Sequence, residues 1–574
     1  MRSTTRTRAL VAVVAFGLIA AACGSDSGDD ASGDTVAGTA AETVDTATEE
    51  TTAESAPADT AESVPADTTA DTTADSTAPE GDDDACTEER AGGDVVAYTG
   101  SPYATLDPAQ MLGTGGYGGD LAAALYGSLI YYNPDTAEFE PSIATSWEPN
   151  EDHSSWTVTI RDDVTFGNGD PFTTADIAAS IERQKLGRTR GARMANQVTA
   201  EVVDPTTIVL SSAQGFNLPF MLSADLGWIA NNNVVTSLGE GFARNALGAG
   251  AGAFEFESIS DTPGESLVLV AKDDWWGGPV CIDRIEFKFV QDPTAGVESF
   301  TRGEADTMYL PNNAVLAPVD EAGLLEYSEL VGAYQWVFTD QGKVSADSPF
   351  KDVRIREAMQ LAIDYDVLYE RVQGGIGPKP TSAVIPEGSP YYTGAEGPPY
   401  DPDRAKELIA ETIADGTWDG SFNFLIQPTP VQQEAAIVFE ALWEAVGMDV
   451  TVEPDPNALT RIVVEPNFEV SSLGFAITPP HPFTNLSNLY CDNPVNRTGY
   501  CDPAMDAALD ELQAALTIEE NAAALAKVQE VWNTTFPYAI WDHTEWGIGA
   551  QENVSGLRVG SDNVLYFDRA YLEQ

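Results

Sequence analysis

The stretch from Pro141 to Arg183, PSIATSWEPNEDHSSWTVTIRDDVTFGNGDPFTTADIAASIER, leaves the chain little choice of local structure. SWTVTI alternates, with Trp156, Val158 and Ile160 set against Thr157 and Thr159, the two-residue period of a half-buried strand. Gly167–Pro171 reads as a turn, since its glycines can take positive φ and Pro171 donates no hydrogen bond. Thr173 or Thr174 then precedes the run DIAASIER, in which Ile177, Ala178 and Ile181 recur at helix spacing. Short β-runs and helices alternate along the rest of the body as well, as in RIEFKFV and MDVTVEP, which predicts an α/β fold.

Composition divides the chain. Arg2, Arg6 and Arg8 precede an apolar run, Ala9 to Ala22, that is too short and alanine-rich for a comfortable membrane span and reads as an export signal. Ala20-Ala21-Ala22-Cys23-Gly24 resembles a bacterial lipobox, with Ala20 where Leu is usual. Residues 1–22 are therefore expected to be a lipoprotein signal peptide and Cys23 the lipidation site. The mature protein would then be extracytoplasmic and lipid-anchored to the cell membrane, at the cell surface or in the periplasm. From Gly24 to Ala85 there are eighteen acidic residues, no Lys or Arg and no aromatic, too little apolar surface to offset the entropy of ordering. Residues 23–85 thus read as a disordered tether reaching roughly 40–50 Å.

The body from Cys86 onward carries 25 basic and 73 acidic residues. That balance excludes a nucleic-acid footprint, which needs a basic face. At about 490 residues it is too long for one core and should divide. Catalysis has little support: no G-x-S-x-G elbow occurs, and His153, His481 and His543 have no metal-type spacing. Neither an enzyme nor a cofactor is expected. A metal site from Cys491, Cys501 and His481 is disfavoured, since the spacing matches no standard zinc pattern.

The opening stretch resembles the signature of the family 5 extracellular solute-binding proteins, the peptide- and nickel-binding subunits of ABC importers. Pro141, Ala144, Ser146, Trp147, Arg161, Val164, Phe166, Gly169, Pro171, Thr174, Ala175 and Asp176 carry the match, and Asn168 stands where Asp is usual. The resemblance continues through Leu106-Asp107-Pro108, through Trp276-Gly277-Gly278, and through SPFKDVRIREAMQLAIDYDVL, whose Ile355, Met359, Ala362 and Val367 should form a buried helix face. It extends to NRTGYCDPAMD near the C-terminus, and so covers nearly all of residues 91–574.

The fold implied is a two-lobed periplasmic-binding-protein type II arrangement with an extra domain in lobe one. Domain I would comprise 91–123, 234–308 and 545–574, domain II 124–233 and domain III 309–544, with hinges near Met308–Asn312 and Trp541–Gly547. Cys491 and Cys501, ten positions apart, flank a loop rich in Asn, Pro and Gly and are expected to close it, which leaves Cys86 for Cys281; the resemblance makes the strands that follow these two neighbours, which fits that pairing. The connectivity is not determined by this reading.

A binding cleft needs aromatic walls, convergent polar groups and hinges. The Gly-rich loop after the Leu-Asp-Pro turn offers Gly116 and Tyr117, with Tyr103 just before that turn; a flexible connector is the competing reading. Tyr334, Trp336 and Phe338 alternate, and Trp336 is the candidate taken from that row, although such rows are more often half core. Peptide-binding members resemble "G-W-x-x-D-Y-P-D-P" where this chain has Gly474-Phe475-Ala476-Ile477-Thr478-Pro479-Pro480-His481-Pro482. Thr478 thus replaces the Asp that holds a peptide ammonium group, and a neutral hydroxyl cannot supply that charge-assisted bond. Phe475, Thr478 and His481 are candidates, with Asn496 and Arg497, the latter for a ligand carboxylate or an ordinary ion pair. Three ligands remain open: a peptide held by its backbone, another solute such as a sugar or small organic ion, or a metal chelate.

The function implied is a substrate-binding subunit, monomeric, that captures a small-molecule or peptide ligand and delivers it to an ABC permease complex. A surface sensor or adhesion protein on the same fold is the alternative.

Overall fold

The computed structural model describes Cys86 and residues 90–573, apart from Ala104, Leu112, Arg188, Asp261, Pro263, Gly264, Phe475, Pro479, Pro480, His481, Pro494 and Val495. The signal segment, Cys23 and the tether lie outside the described residues, as do the candidates Phe475 and His481.

A ten-stranded sheet runs through the body. One end holds Phe254–Ile259, Ser266–Ala271, Arg284–Phe289, Asp94–Thr99 and Thr307–Leu310; the other holds Val470–Gly474, Ser421–Ile426 and Asp449–Pro454. Between them lie two long strands, Ala539–Ala550 and Leu325–Thr339, paired antiparallel. These two are continuous with both ends and carry the chain from one lobe to the other. Their pairing shifts register between Val331↔Thr544 and Gln335↔Asp542, so that Gly332, Ala333 and Tyr334 stand opposite His543 alone. The bulged amides bond elsewhere: Gly332 N–H donates to Ile477 O at 2.9 Å and Ala333 N–H to Val384 O at 2.9 Å.

The signature stretch supplies two strands, Ala144–Pro149 and Ser155–Ile160, of a separate four-stranded antiparallel sheet completed by Thr207–Ser211 and Thr199–Asp204, and the helix Thr174–Gln184. Trp156, Val158, Ile160, Ile177 and Ile181 are buried together in one core. Thr173 caps the helix through a capping box with Asp176. Asn168 fits the turn: its Oδ1 accepts from Asp170 N–H at 3.0 Å, and Gly169 takes φ 85°. Arg183 at the end of this helix bonds Asp107 of the Leu-Asp-Pro turn, tying two of the recognised motifs together.

One expected helix divides. Val353–Leu361 and Tyr365–Arg371 are separate because Asp364 accepts from the amides of Asp366 and Val367 and starts the second. Ile355, Met359 and Ala362 are buried as expected, but Val367 is exposed and Leu368 takes the inward position. Cys86 is bonded to Cys281 and Cys491 to Cys501.

Candidate functional site

The strand Val470–Gly474 ends in the loop that carries Thr478, and the C-terminal turn Ser561–Asn563 meets that loop. Thr478 Oγ1 donates to Asp562 Oδ1 at 2.9 Å, a contact between residues 84 positions apart. Asp562 and Asn563 both have φ 58°, the left-handed conformation that Asp and Asn adopt more readily than other non-glycine residues. Ser561 supplies one restraint, with its Oγ 2.8 Å from Ser223 Oγ.

Asp562 belongs to a buried charge network. Arg190 Nη1 donates to Asp562 Oδ2 at 2.7 Å, its Nε to Asp225 Oδ2 at 2.7 Å, and its Nη2 to Gly113 O at 3.2 Å. Burial works against the Arg190 charge, and Asp225 and Asp562 more than offset it, so its pKa rises. Asp562 is pushed up by burial, with Arg190 opposing. Asn563 Nδ2 donates to Glu329 Oε2 at 2.7 Å, and burial, then the charge of Asp562, push Glu329 up to about 8. One guanidinium thus pairs with two carboxylates, Glu329 lies beyond them without a cation in contact, and the site favours protonation of Glu329 near neutral pH. A cavity of about 380 Å³ opens beside them, lined by Tyr132, Tyr327, Glu329, Pro390 and Asp562 among others.

The Gly-rich loop is occupied by the protein itself. A Cβ on Gly115 would fall 2.6 Å from Asn563 O and one on Gly116 2.6 Å from Tyr309 Cβ, so these glycines permit close packing. Tyr117 packs edge-on against Tyr309, 5.3 Å between ring centres. Tyr103 lies in the lobe-one core, edge-on to Phe287. Trp336 does not line a cleft: it is fully buried, stacked on Tyr538 at 5.4 Å, with its Nε1 donating to Ala333 O. The bulge is the reason, because it breaks the alternation and sends Tyr334 alone toward Trp546. Asn496 organises its own loop, donating to Tyr490 O and Tyr500 O and accepting from Thr498 and Gly499 N–H. Arg497 is buried, and burial lowers its pKa.

Sequence reading singled out Thr478 but missed Arg190, Asp225, Glu329 and Asp562. Arg190 carried a faint signal, being one of only 28 basic residues against 91 acidic ones. Nothing local marks the three acids.

The profile described as bacterial extracellular solute-binding proteins, family 5 middle, matches residues 138–497. The chain belongs to this family. Heme-binding protein A of Haemophilus influenzae is 24% identical over 452 residues, covering 72% of this chain and 80% of its own length. The periplasmic murein peptide-binding protein of Escherichia coli is 22% identical over 489 residues, 79% of this chain and 88% of its own. Among solved structures, Helicobacter pylori DppA in complex with the peptide STSA superposes with a TM-score of 0.69 at 21% identity, over 85% of this chain and 99% of its own. AgaA from A. tumefaciens R10, in complex with agropinic acid, gives 0.67 at 20% identity, over 84% and 99%. The two-lobed type II fold is therefore that of this chain. Family 5 members are binding proteins rather than enzymes, and so is this one.

Proposed function

We propose that this protein is the solute-capturing subunit of an ABC importer, taking a peptide or peptide-like solute between its lobes and handing it to a membrane permease. The carrying observation is the Thr478–Asp562 bond, a polar contact between lobes at the position where peptide-binding relatives resemble one another in holding the ligand. Binding then shifts an open–closed population, and the closed form docks on the permease. The relatives named for peptides support the solute class, and the one bound to agropinic acid shows that the fold accepts other small acids. Cys23 anchors the monomer by lipid outside the cytoplasm.

In the same reading the domains follow the division stated above, with one change. Residues 309–325 join domain I, because the helix Asn313–Glu321 packs on Phe300, Met308 and Leu310. The first crossing then falls within the strand Leu325–Thr339. The test is mass spectrometry of what co-purifies with the protein from its native host, followed by return of that solute to stripped protein. A smaller radius of gyration and a higher melting temperature are expected; no compaction with any recovered solute contradicts the importer reading.

A further inference from the structure

If the cleft takes a solute as proposed above, the cavity beside Asp562 indicates which group of that solute the protein holds. Its volume, about 380 Å³, lies within the range of small-ligand sites. The described residues that line it include three acids, Asp135, Glu329 and Asp562, and no Lys, Arg or His. Asp562 is already engaged, by Thr478 at one oxygen and by Arg190 at the other. Glu329 accepts from Asn563 Nδ2 at 2.7 Å, and among the described residues no cation is in contact with it.

The amide beside it is incomplete too. Asn563 is fully buried, and its Nδ2 reaches Glu329 at the cavity wall. Oδ1 of the same amide has no hydrogen-bond partner among the described residues. A buried acceptor without a donor is costly, and a carboxylate that has lost much of its water without gaining a cation is more so. The two acceptors adjoin, so the site lacks a cation with more than one N–H to give. A primary ammonium group has three. Tyr132 and Tyr327 add to the wall, and tyrosine rings are favourable neighbours for such a cation.

We infer that this cavity receives a primary ammonium group of the solute, with Glu329 as its carboxylate partner and Asn563 Oδ1 as a second acceptor. The inference rests on the solute-binding reading, and its test separates the two. Capture is then coupled to a proton. In the empty cavity burial and the charge of Asp562 hold Glu329 up at about 8, so it carries a proton at neutral pH. An ammonium group pairs best with the carboxylate form, and its entry sends that proton to the solvent. The other groups facing Glu329 do not supply it. Burial keeps Tyr132, Tyr309, Tyr327 and Tyr391 uncharged before and after binding. Asp135 is exposed, and Asp562 keeps Arg190.

Calorimetric titration of the full chain with trialanine and N-acetyl-trialanine, at pH 7 in buffers of different ionisation enthalpy, tests this. Trialanine should bind about ten-fold more tightly or better and release most of one proton; the acetylated peptide should release none. Glu329→Gln should bring trialanine to the level of the acetylated peptide and abolish the release. At pH 6, where Glu329 is itself uncharged, variant and parent should melt at the same temperature, which shows the variant folded. Equal binding of the two peptides, or a preference and a proton release that survive in Glu329→Gln, overturns the inference and leaves the importer reading intact. If neither peptide binds, the peptide-like reading fails and ethylammonium chloride decides the inference alone. It should raise the melting temperature of the parent above that in sodium chloride of equal concentration, and not that of Glu329→Gln. No difference between the two salts overturns the inference.

Discussion

Thr478 stands in the loop where this chain departs from the family pattern. A carboxylate at this position would stand beside Asp562, which already shares Arg190 with Asp225. The hydroxyl instead donates to Asp562, and a hydrogen bond to a charged group contributes about 1.5–3 kcal/mol. Thr478→Val should therefore lower the closed fraction, and Thr478→Asp should open the protein further at neutral pH by like-charge repulsion. Small-angle scattering checks both, and unchanged radii for the two variants would refute the latch. Two raised carboxyl groups give a second expectation. Burial lifts Asp120 to about 7, and burial with Asp562 lifts Glu329 to about 8. Each is held protonated by the fold, so its stabilisation is complete below the unfolded carboxylate range near pH 4 and is lost as pH rises through 7 to 8. The urea midpoint should be higher at pH 6 than at pH 8, and Glu329→Gln should flatten the upper part of that decline.

At the scale of elements, the signature and the bulge behave differently. Strand, turn and capped helix between Pro141 and Arg183 were legible because each is set by neighbours a few residues away: alternation, glycine and a capping box. Thr173→Ala should cost about 0.5–2 kcal/mol, read as a lower urea midpoint, because it removes that cap. The bulge at Gly332–Tyr334 was not legible, since its extra amides find partners at Ile477 and Val384, far along the chain. That is also why Trp336 turned out to be core. A Cβ at Gly332 would lie 3.1 Å from Ile477 Cβ and 3.1 Å from Val384 O. Gly332→Val should thus destabilise by about 1–3 kcal/mol through overpacking, and should also disturb closure by moving the loop that carries Thr478. Loss of stability without any change in closure would separate the bulge from the latch.

For the whole molecule, charge dominates. With 25 basic and 73 acidic residues from Cys86 onward, a formal charge of about −48, the compact body works against its own repulsion. Screening shortens to about 3 Å at 1 M salt, so raising sodium chloride from 0.05 to 1 M should raise the melting temperature. A fall would indicate that the specific ion pairs outweigh the general repulsion. What the sequence by itself determined was the family, the α/β character and the local motifs, because these depend on periodicity, turn residues and caps within short windows. It also marked Thr478 as a departure from the family pattern. Only the tertiary structure decided what Thr478 meets. Asp562 lies 84 residues beyond it and 372 beyond Arg190, and no short-range pattern relates them. Their meeting depends on how two lobes and a C-terminal turn pack, and a network of buried charges exists only once that packing has removed the water between them.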